Sequence, residues 1–294
     1  MSDTTTSLQR KIKSAGDLQS VVRTMKALAA SNIGQYEKAE RALGDYYQSI
    51  ELGRSIFFRN GALTAHETED PQQVGERSVG AVVFGSDQGL VGRFNDVVAD
   101  FAKASLAPLP NKSKIWAVGE RVQAGLVDSG LPTRGMFTVP NSVKAIAPLV
   151  AQILIECETP DRQGGVTELH LFYNRPTSAA AYAPVTQRLL PLDEAWRRKL
   201  ADIPWPSMNL PEMLGNGNMT LRALIREYLF VSIFRACAES LASENASRLA
   251  AMQRADKNID ELLDDIKGRF QRLRQSTIDE ELFDVTSGFE ALST

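Results

Sequence analysis

The chain has 294 residues, 43% of them hydrophobic and 23% charged, with a net charge of -3. That is ordinary for a globular chain with room for one large domain or two smaller ones, and it carries no global positive field that would advertise nucleic-acid binding. The cysteines, Cys157 and Cys237, are far apart and lack metal spacing, which argues for a reducing compartment and against a disulfide scaffold. The start, "MSDTTTSLQRKIKSAGDLQ", lacks the apolar core of a signal peptide. No window approaches the ~20 apolar residues of a membrane span. A soluble protein is expected, one that works at a membrane only through partners.

From about Ser7 to Asn60, Leu8, Ile12, Ala15, Leu18, Val22, Met25, Ala29 and Asn32 recur at spacings of three and four, continuing through Tyr36, Ala39, Leu43 and Tyr46 to Ile50. No proline interrupts this heptad-like seam, so one long helix is expected. Ser7 is a plausible N-cap. Gly16, Gly34, Gly44 and Gly53 each weaken a helix by about 1 kcal/mol relative to Ala, unless they mark close helix packing.

The middle is different. "VGAVVFGSD", "SKIWAVGE", "TELHLFYNR" and "SAAAYAPVTQRLLPL" read as strands. "NDVVADFAKASL", "GERVQAGLVDSG" and "NSVKAIAPLVAQILIECETP" have helical spacing. This alternation predicts a mostly parallel α/β (Rossmann-like) domain over about 77–200. A polar linker, "NGALTAHETEDPQQVGERS", precedes it, and the irregular "DIPWPSMNLPEMLGNGN" follows.

From about Met219 to Leu292 the three-four rhythm returns, through Leu224, Tyr228, Val231, Ala238, Leu241, Asn245, Arg248, Met252, Ile259, Leu262, Ile266 and Leu273. A helix of ~70 residues spans roughly 100 Å, more than a compact domain of this chain length, so it should protrude. It needs a partner for its stripe. The N-terminal helix is the obvious candidate, giving an antiparallel coiled coil of segments 1–60 and 217–294 around the α/β insertion. Self-association is the competing arrangement. The basic first helix (Arg10, Lys11, Lys13, Arg23, Lys26) and the acidic end (Asp279, Glu280, Glu281, Asp284) would then lie side by side.

Signals for chemistry are weak. "VVFGSDQGLVGRFN" places a Gly-rich turn between a strand and a helix, where phosphate can be cradled. Its spacing is neither the dinucleotide fingerprint nor a Walker loop, so Gly85, Gly89 and Gly92 read as turn and packing residues. His66 lies in the polar linker, and His170 inside an apolar strand reads as a satisfied core residue. Neither has a Cys or acidic partner at metal spacing. Asp264/Asp265 and Glu280/Glu281 are consecutive on a helix and point in different directions. No catalytic residue, cofactor site or metal site is expected.

Several blocks carry a family resemblance. "IKSAGDLQSVVRTMKALAASNI" is similar to the first helix of the gamma subunit of F-type ATP synthases, the central rotor stalk. "GSDQGLVGRFN" resembles that family's "TDRGLCGGLN" loop. "ASENASRLAAMQRADKN" and "RLRQSTIDEELFDVTSG" resemble its C-terminal "ASEQAARMVAMKAATDN" and "ARQASITQELTEIVSG". Gln88, Val91, Arg93 and Asp279 depart from the pattern and mark a divergent branch.

The resemblance implies a non-catalytic rotor subunit that couples ion translocation to ATP synthesis or hydrolysis. The implied partners are the alpha and beta subunits, the epsilon subunit and the membrane ring of c subunits, with no nucleic acid. The implied location is peripheral, on the cytoplasmic face of the inner membrane. By motif position, Met25, Lys26, Arg248, Arg274, Gln275 and Glu281 would contact the alpha-beta hexamer. The alternative is a small-molecule- or phosphate-binding α/β protein with a coiled-coil dimerisation arm, and a homodimeric coiled-coil scaffold is a third reading.

Overall fold

The computed structural model describes residues 4–59, 78–108, 113–159, 165–178, 182–191, 200, 202–209 and 217–292. The polar linker up to Arg77, with His66, lies outside them. In chain order the elements are α1 (Thr5–Arg59), β1 (Val79–Phe84), α2 (Phe94–Leu106), β2 (Lys114–Val118), α3 (Glu120–Asp128), β3 (Gly135–Phe137), α4 (Val143–Glu158), β4 (Glu168–Arg175), β5 (Ala183–Leu190) and α5 (Gly217–Leu292). They fall into two compact units, Ser31–Ser247 and the combination of Met1–Ala30 with Arg248–Thr294. The expected long terminal helices and mostly parallel inserted sheet are present.

In the larger unit the strand order is β3-β2-β1-β4-β5. β1 pairs in parallel with β2 and β4, β2 pairs in parallel with β3, and only β5 runs antiparallel, against β4. β1 is buried along its whole length, which explains its continuous apolar run; strands covered on both faces lose the alternating pattern. One face carries Val79, Ala81, Val83, Ile115, Ala117 and Phe172 under Val98 and Ala102 of α2 and Val122 and Leu126 of α3. The other carries Val82, Phe84, Trp116, Leu171 and Tyr173. It packs with Ile146, Val150 and Ile153 of α4, Tyr36 and Ile50 of α1, and the Tyr228–Ala242 stretch of α5. The sheet is thus covered by short helices on one side and by α4 with the long pair on the other. β3, in "TRGMFTVP", was missed by pattern because three residues are too few to show a period.

Within this unit α1 and α5 run antiparallel. Asn32 meets Asn245, Glu40 pairs with Arg235 at 2.9 Å, and the Tyr46 hydroxyl donates to Glu227 at 2.9 Å. As the number rises on one helix it falls on the other.

The smaller unit repeats the antiparallel pairing with a slimmer seam. Ala15 and Val22 pack with Met252, Ile259 and Leu263, flanked by Ile12, Met25, Ala251 and Ala255. Along α1 the buried positions Leu8, Ala15, Val22, Ala29, Tyr36 and Ile50 recur in steps of seven or twice seven, the period of a two-helix seam. Alternate choices fail that test: Leu18 is 54% exposed, and Leu262, expected in the seam, is 50% exposed while its neighbour Leu263 is buried. The step from Ile259 is four residues, not three.

Three further expectations are corrected. Helix α1 starts earlier than Ser7, and the Thr4 hydroxyl accepts the Ser7 amide at 3.3 Å. Gly16, Gly34 and Gly44 face open space, and only Gly53 meets a neighbour, Leu224. The acidic end does not lie beside the basic start: Leu8 shares a groove with Leu262, Ile266 and Arg269, so α5 overruns the first described turn of α1 by the time it reaches Arg274. Every described residue from Arg274 to Ser287 is exposed. The carboxylates that do meet the basic helix are Asp256 and Asp260.

Candidate partner-contact site

The Gly-rich turn sits where the strand order reverses, the usual ligand position of an open α/β sheet. Here its polar groups are consumed internally. Asp87 accepts the Glu120 amide at 3.0 Å and the Val139 amide at 2.9 Å. Its carboxylate thus occupies the N-terminus of α3, where an incoming anion would bind. The Ser86 carbonyl takes the Arg121 amide at 2.9 Å, and Asn95 and Ser86 exchange hydrogen bonds at 2.9 and 2.8 Å. At Gly119, where φ is +117°, a Cβ would lie 2.8 Å from the Ser86 carbonyl oxygen, so only glycine fits against that backbone. From α5, the Ser247 hydroxyl donates to the Val91 carbonyl at 2.6 Å. The loop is therefore a brace between sheet and helix.

The remaining reactive groups are also occupied. His170 lies 2.8 Å from Glu168. Burial, then Glu156 and Glu158, pushes the Cys157 thiol up to about 12, and burial raises Cys237 as well; neither is a ready nucleophile. Among the described residues no group of three or more His, Cys, Asp or Glu converges to hold a metal, and no helix there is long and apolar enough to cross a membrane.

The six candidate contact residues all fall in the smaller unit and divide into two groups. Met25 packs half-buried against the seam, and Lys26 reaches Asp256 across it at 3.3 Å. Arg248 is half-buried on α5. Arg274, Gln275 and Glu281 stand exposed on the end of α5 that overruns α1, beside the exposed Ile278, Leu282, Phe283 and Val285. Ile278, Leu282 and Val285 are spaced four and three apart and form one stripe, while Asp279, Glu280, Glu281 and Asp284 occupy the rest of the circumference.

Two networks escaped the sequence reading. In the smaller unit, Asp256 collects Arg23 Nε at 3.2 Å and Lys26 Nζ at 3.3 Å. Desolvation works the other way, yet Arg23 and Lys26 hold its carboxyl below the ordinary carboxylate value. In the larger unit, Glu239 accepts Arg175 at 2.7 Å and Arg235 at 2.9 Å, and Arg235 continues to Glu40. This bracket ties the end of β4 to both long helices. The signal for Asp256 was available: an antiparallel register that sets Val22 level with Ile259 puts Asp256 level with Met25, between Arg23 and Lys26.

A family model described as ATP synthase matches residues 4–292. The ATP synthase gamma chain of Clavibacter sepedonicus is 28% identical over 294 residues, covering 97% of this chain and 96% of that one. The chain belongs to the ATP synthase gamma family. A second gamma chain, from Moorella thermoacetica, is 28% identical over 97% of this chain and 98% of its own length. The fold agrees with a chain of the Euglena gracilis mitochondrial ATP synthase (OSCP/F1/c-ring, rotational state 3) at TM-score 0.60 and 19% identity, covering 97% of this chain and 93% of that one. It also agrees with a chain of the Tetrahymena thermophila central stalk/c-ring at TM-score 0.54 and 21% identity, covering 80% and 99%. As a gamma-family member the chain is a central-stalk subunit and is not itself catalytic. Full-length coverage at this low identity marks a divergent member.

Proposed function

We propose that the chain is the rotor that couples ion flow through a membrane ring of c subunits to ATP synthesis or hydrolysis in an alpha-beta hexamer. In this reading segments 1–60 and 217–294 form the turning shaft, and 77–200 the body that meets the ring and the epsilon subunit. The complex sits peripherally on the cytoplasmic face of the inner membrane. Nucleotide chemistry belongs to the beta subunits.

The observation that carries the reading is the overrunning end of α5, exposed on all sides in a chain matched to the family over nearly its full length. An apolar stripe such as Ile278, Leu282 and Val285 suits a turning contact, because apolar attraction is non-directional and changes little with angle. Arg274, Gln275 and Glu281 add charged and polar contacts that are made and broken as the shaft turns. Met25, Lys26 and Arg248 form a second set of contacts to the hexamer.

The test is co-expression with the alpha and beta subunits of the same source. A complex should form, and its ATP hydrolysis should depend on this chain. Failure to assemble, or hydrolysis indifferent to the chain, sinks the reading.

A further inference from the structure

The cluster around Asp256 has an arrangement that simple pairing does not require. The Asp256 side chain is 14% exposed, while Lys26 is 40% and Arg23 58% exposed. The carboxylate is largely covered, and the two cations that reach it stand further out into solvent. Gln19 donates to both Asp256 and Asp260, and Arg23 extends to Asp260 at 3.7 Å. The seam residues Val22 and Met25 on one helix, and Met252, Ala255 and Ile259 on the other, form the apolar floor beside it. Two cations (Arg23 and Lys26) face two carboxylates (Asp256 and Asp260), so the patch sums to zero charge.

We propose that Asp256 is a positioning residue: it holds Lys26 and Arg23 down on the helix pair and keeps this face electrically neutral toward the partner that surrounds it. The inference rests on the stalk reading above. Lys26 is a flexible cation that, unheld, would extend toward any carboxylate on a facing surface. Exposed pairs are weak, so the clasp opens readily and recloses when a partner group has passed. A neutral face meets acidic and basic partner groups with little preference, and so adds little resistance at any one angle. An unmasked cation pair would grip acidic groups and resist further rotation.

The experiment measures ATP hydrolysis by the assembled alpha–beta–gamma complex at low and high ionic strength. Asp256→Asn leaves the patch with one net positive charge. It should lower turnover roughly two- to fivefold at low salt. Turnover should return toward the parent's value at high salt, where charges are screened within about 3 Å. Asp256→Glu should behave as the parent. Adding Arg23→Gln to Asp256→Asn restores neutrality and should restore the parent's salt dependence. The inference is overturned if Asp256→Asn has the parent's turnover and salt dependence, or if the double variant keeps the Asp256→Asn salt dependence. It is also overturned if both Asn variants lose helix by circular dichroism, which would make the role structural. A parent chain that does not assemble refutes the stalk reading itself, a distinct result.

Discussion

Replacing Gly85 by Ala tests whether the Gly-rich turn is a brace or a ligand cradle. A Cβ built at Gly85 would lie 2.3 Å from Val122 Cβ, 2.5 Å from Val122 Cγ1 and 2.7 Å from Asn95 Oδ1. Val122 is fully buried on α3 and cannot swing away. Overpacking of this kind costs about 1–3 kcal/mol. Asn95 Oδ1 is also the acceptor for the Ser86 amide, and Ser86 is buried, so displacing it orphans a donor at about 1–3 kcal/mol more. The sum is about 2–6 kcal/mol. Hydrogen exchange of the β1 and β2 amides reads this unit alone. At tenfold per 1.4 kcal/mol, exchange through opening should be faster by roughly thirtyfold to twenty-thousandfold. Gly89→Ala is the control: no atom lies within 4 Å of its Cβ position, so its effect should stay within about 0.5 kcal/mol. Inorganic phosphate should not protect this turn. The reasoning is refuted if Gly85→Ala exchanges like the parent, if Gly89→Ala is equally fast, or if phosphate slows exchange at Ser86 and Glu120.

Met252→Ala empties a buried position of the smaller unit's seam and should lower its stability by about 2–5 kcal/mol, read as loss of exchange protection around Val22 and Ile259. Asp256→Asn should be less stable than the parent above the unfolded carboxylate value of about 3.9. Because the folded-state value is lowered, that difference should vanish as pH falls through it; thermal melts by circular dichroism from pH 6 to pH 2 follow this, and a difference that persists in acid argues against the clasp. Glu281→Lys alters an exposed side chain and should leave stability within about 0.5 kcal/mol. Its effect should appear in ion pumping per ATP hydrolysed in reconstituted vesicles, and unchanged pumping removes Glu281 from the contact surface.

Much of the architecture was legible because its periods are long or pure. The heptad of α1 persists from Leu8 to Ile50, so a few misplaced members such as Leu18 did not hide it. β1, β2 and β4 are apolar runs bounded by turn residues, and their parallel pairing follows from the helices between them. What failed were choices one residue apart. Leu262 and Leu263 are the same residue type on adjacent positions, and only the register of the partner helix decides which is buried. The caps failed for a similar reason: Thr4, Thr5, Thr6 and Ser7 are all competent cap residues, and side-chain chemistry does not rank them. The offset between helix ends was illegible because charge complementarity alone would slide Asp279–Asp284 beside Arg10–Lys13. The packing of Ala15, Val22 and Ile259 outweighs it, since exposed charge pairs contribute at most about 1 kcal/mol and a buried apolar side chain about 1.5–3 kcal/mol.

That balance also accounts for where polar groups are spent in the paired helices. A seam with Ala15, Ala29 and Ala255 buries little apolar area per turn, so it specifies register weakly by itself. Asp256 removes the ambiguity, because one heptad in either direction takes it away from both Arg23 and Lys26. In the larger unit the pair that crosses from α5 to α1 is Arg235–Glu40, and Arg235 is tied in turn to Glu239, a buried carboxylate that also takes Arg175. An unpartnered buried charge costs several kcal/mol, more than the pair itself contributes. The polar residues thus act mainly by excluding wrong alignments. A slender pair held in register this way can present most of its circumference to a partner without thickening its own core.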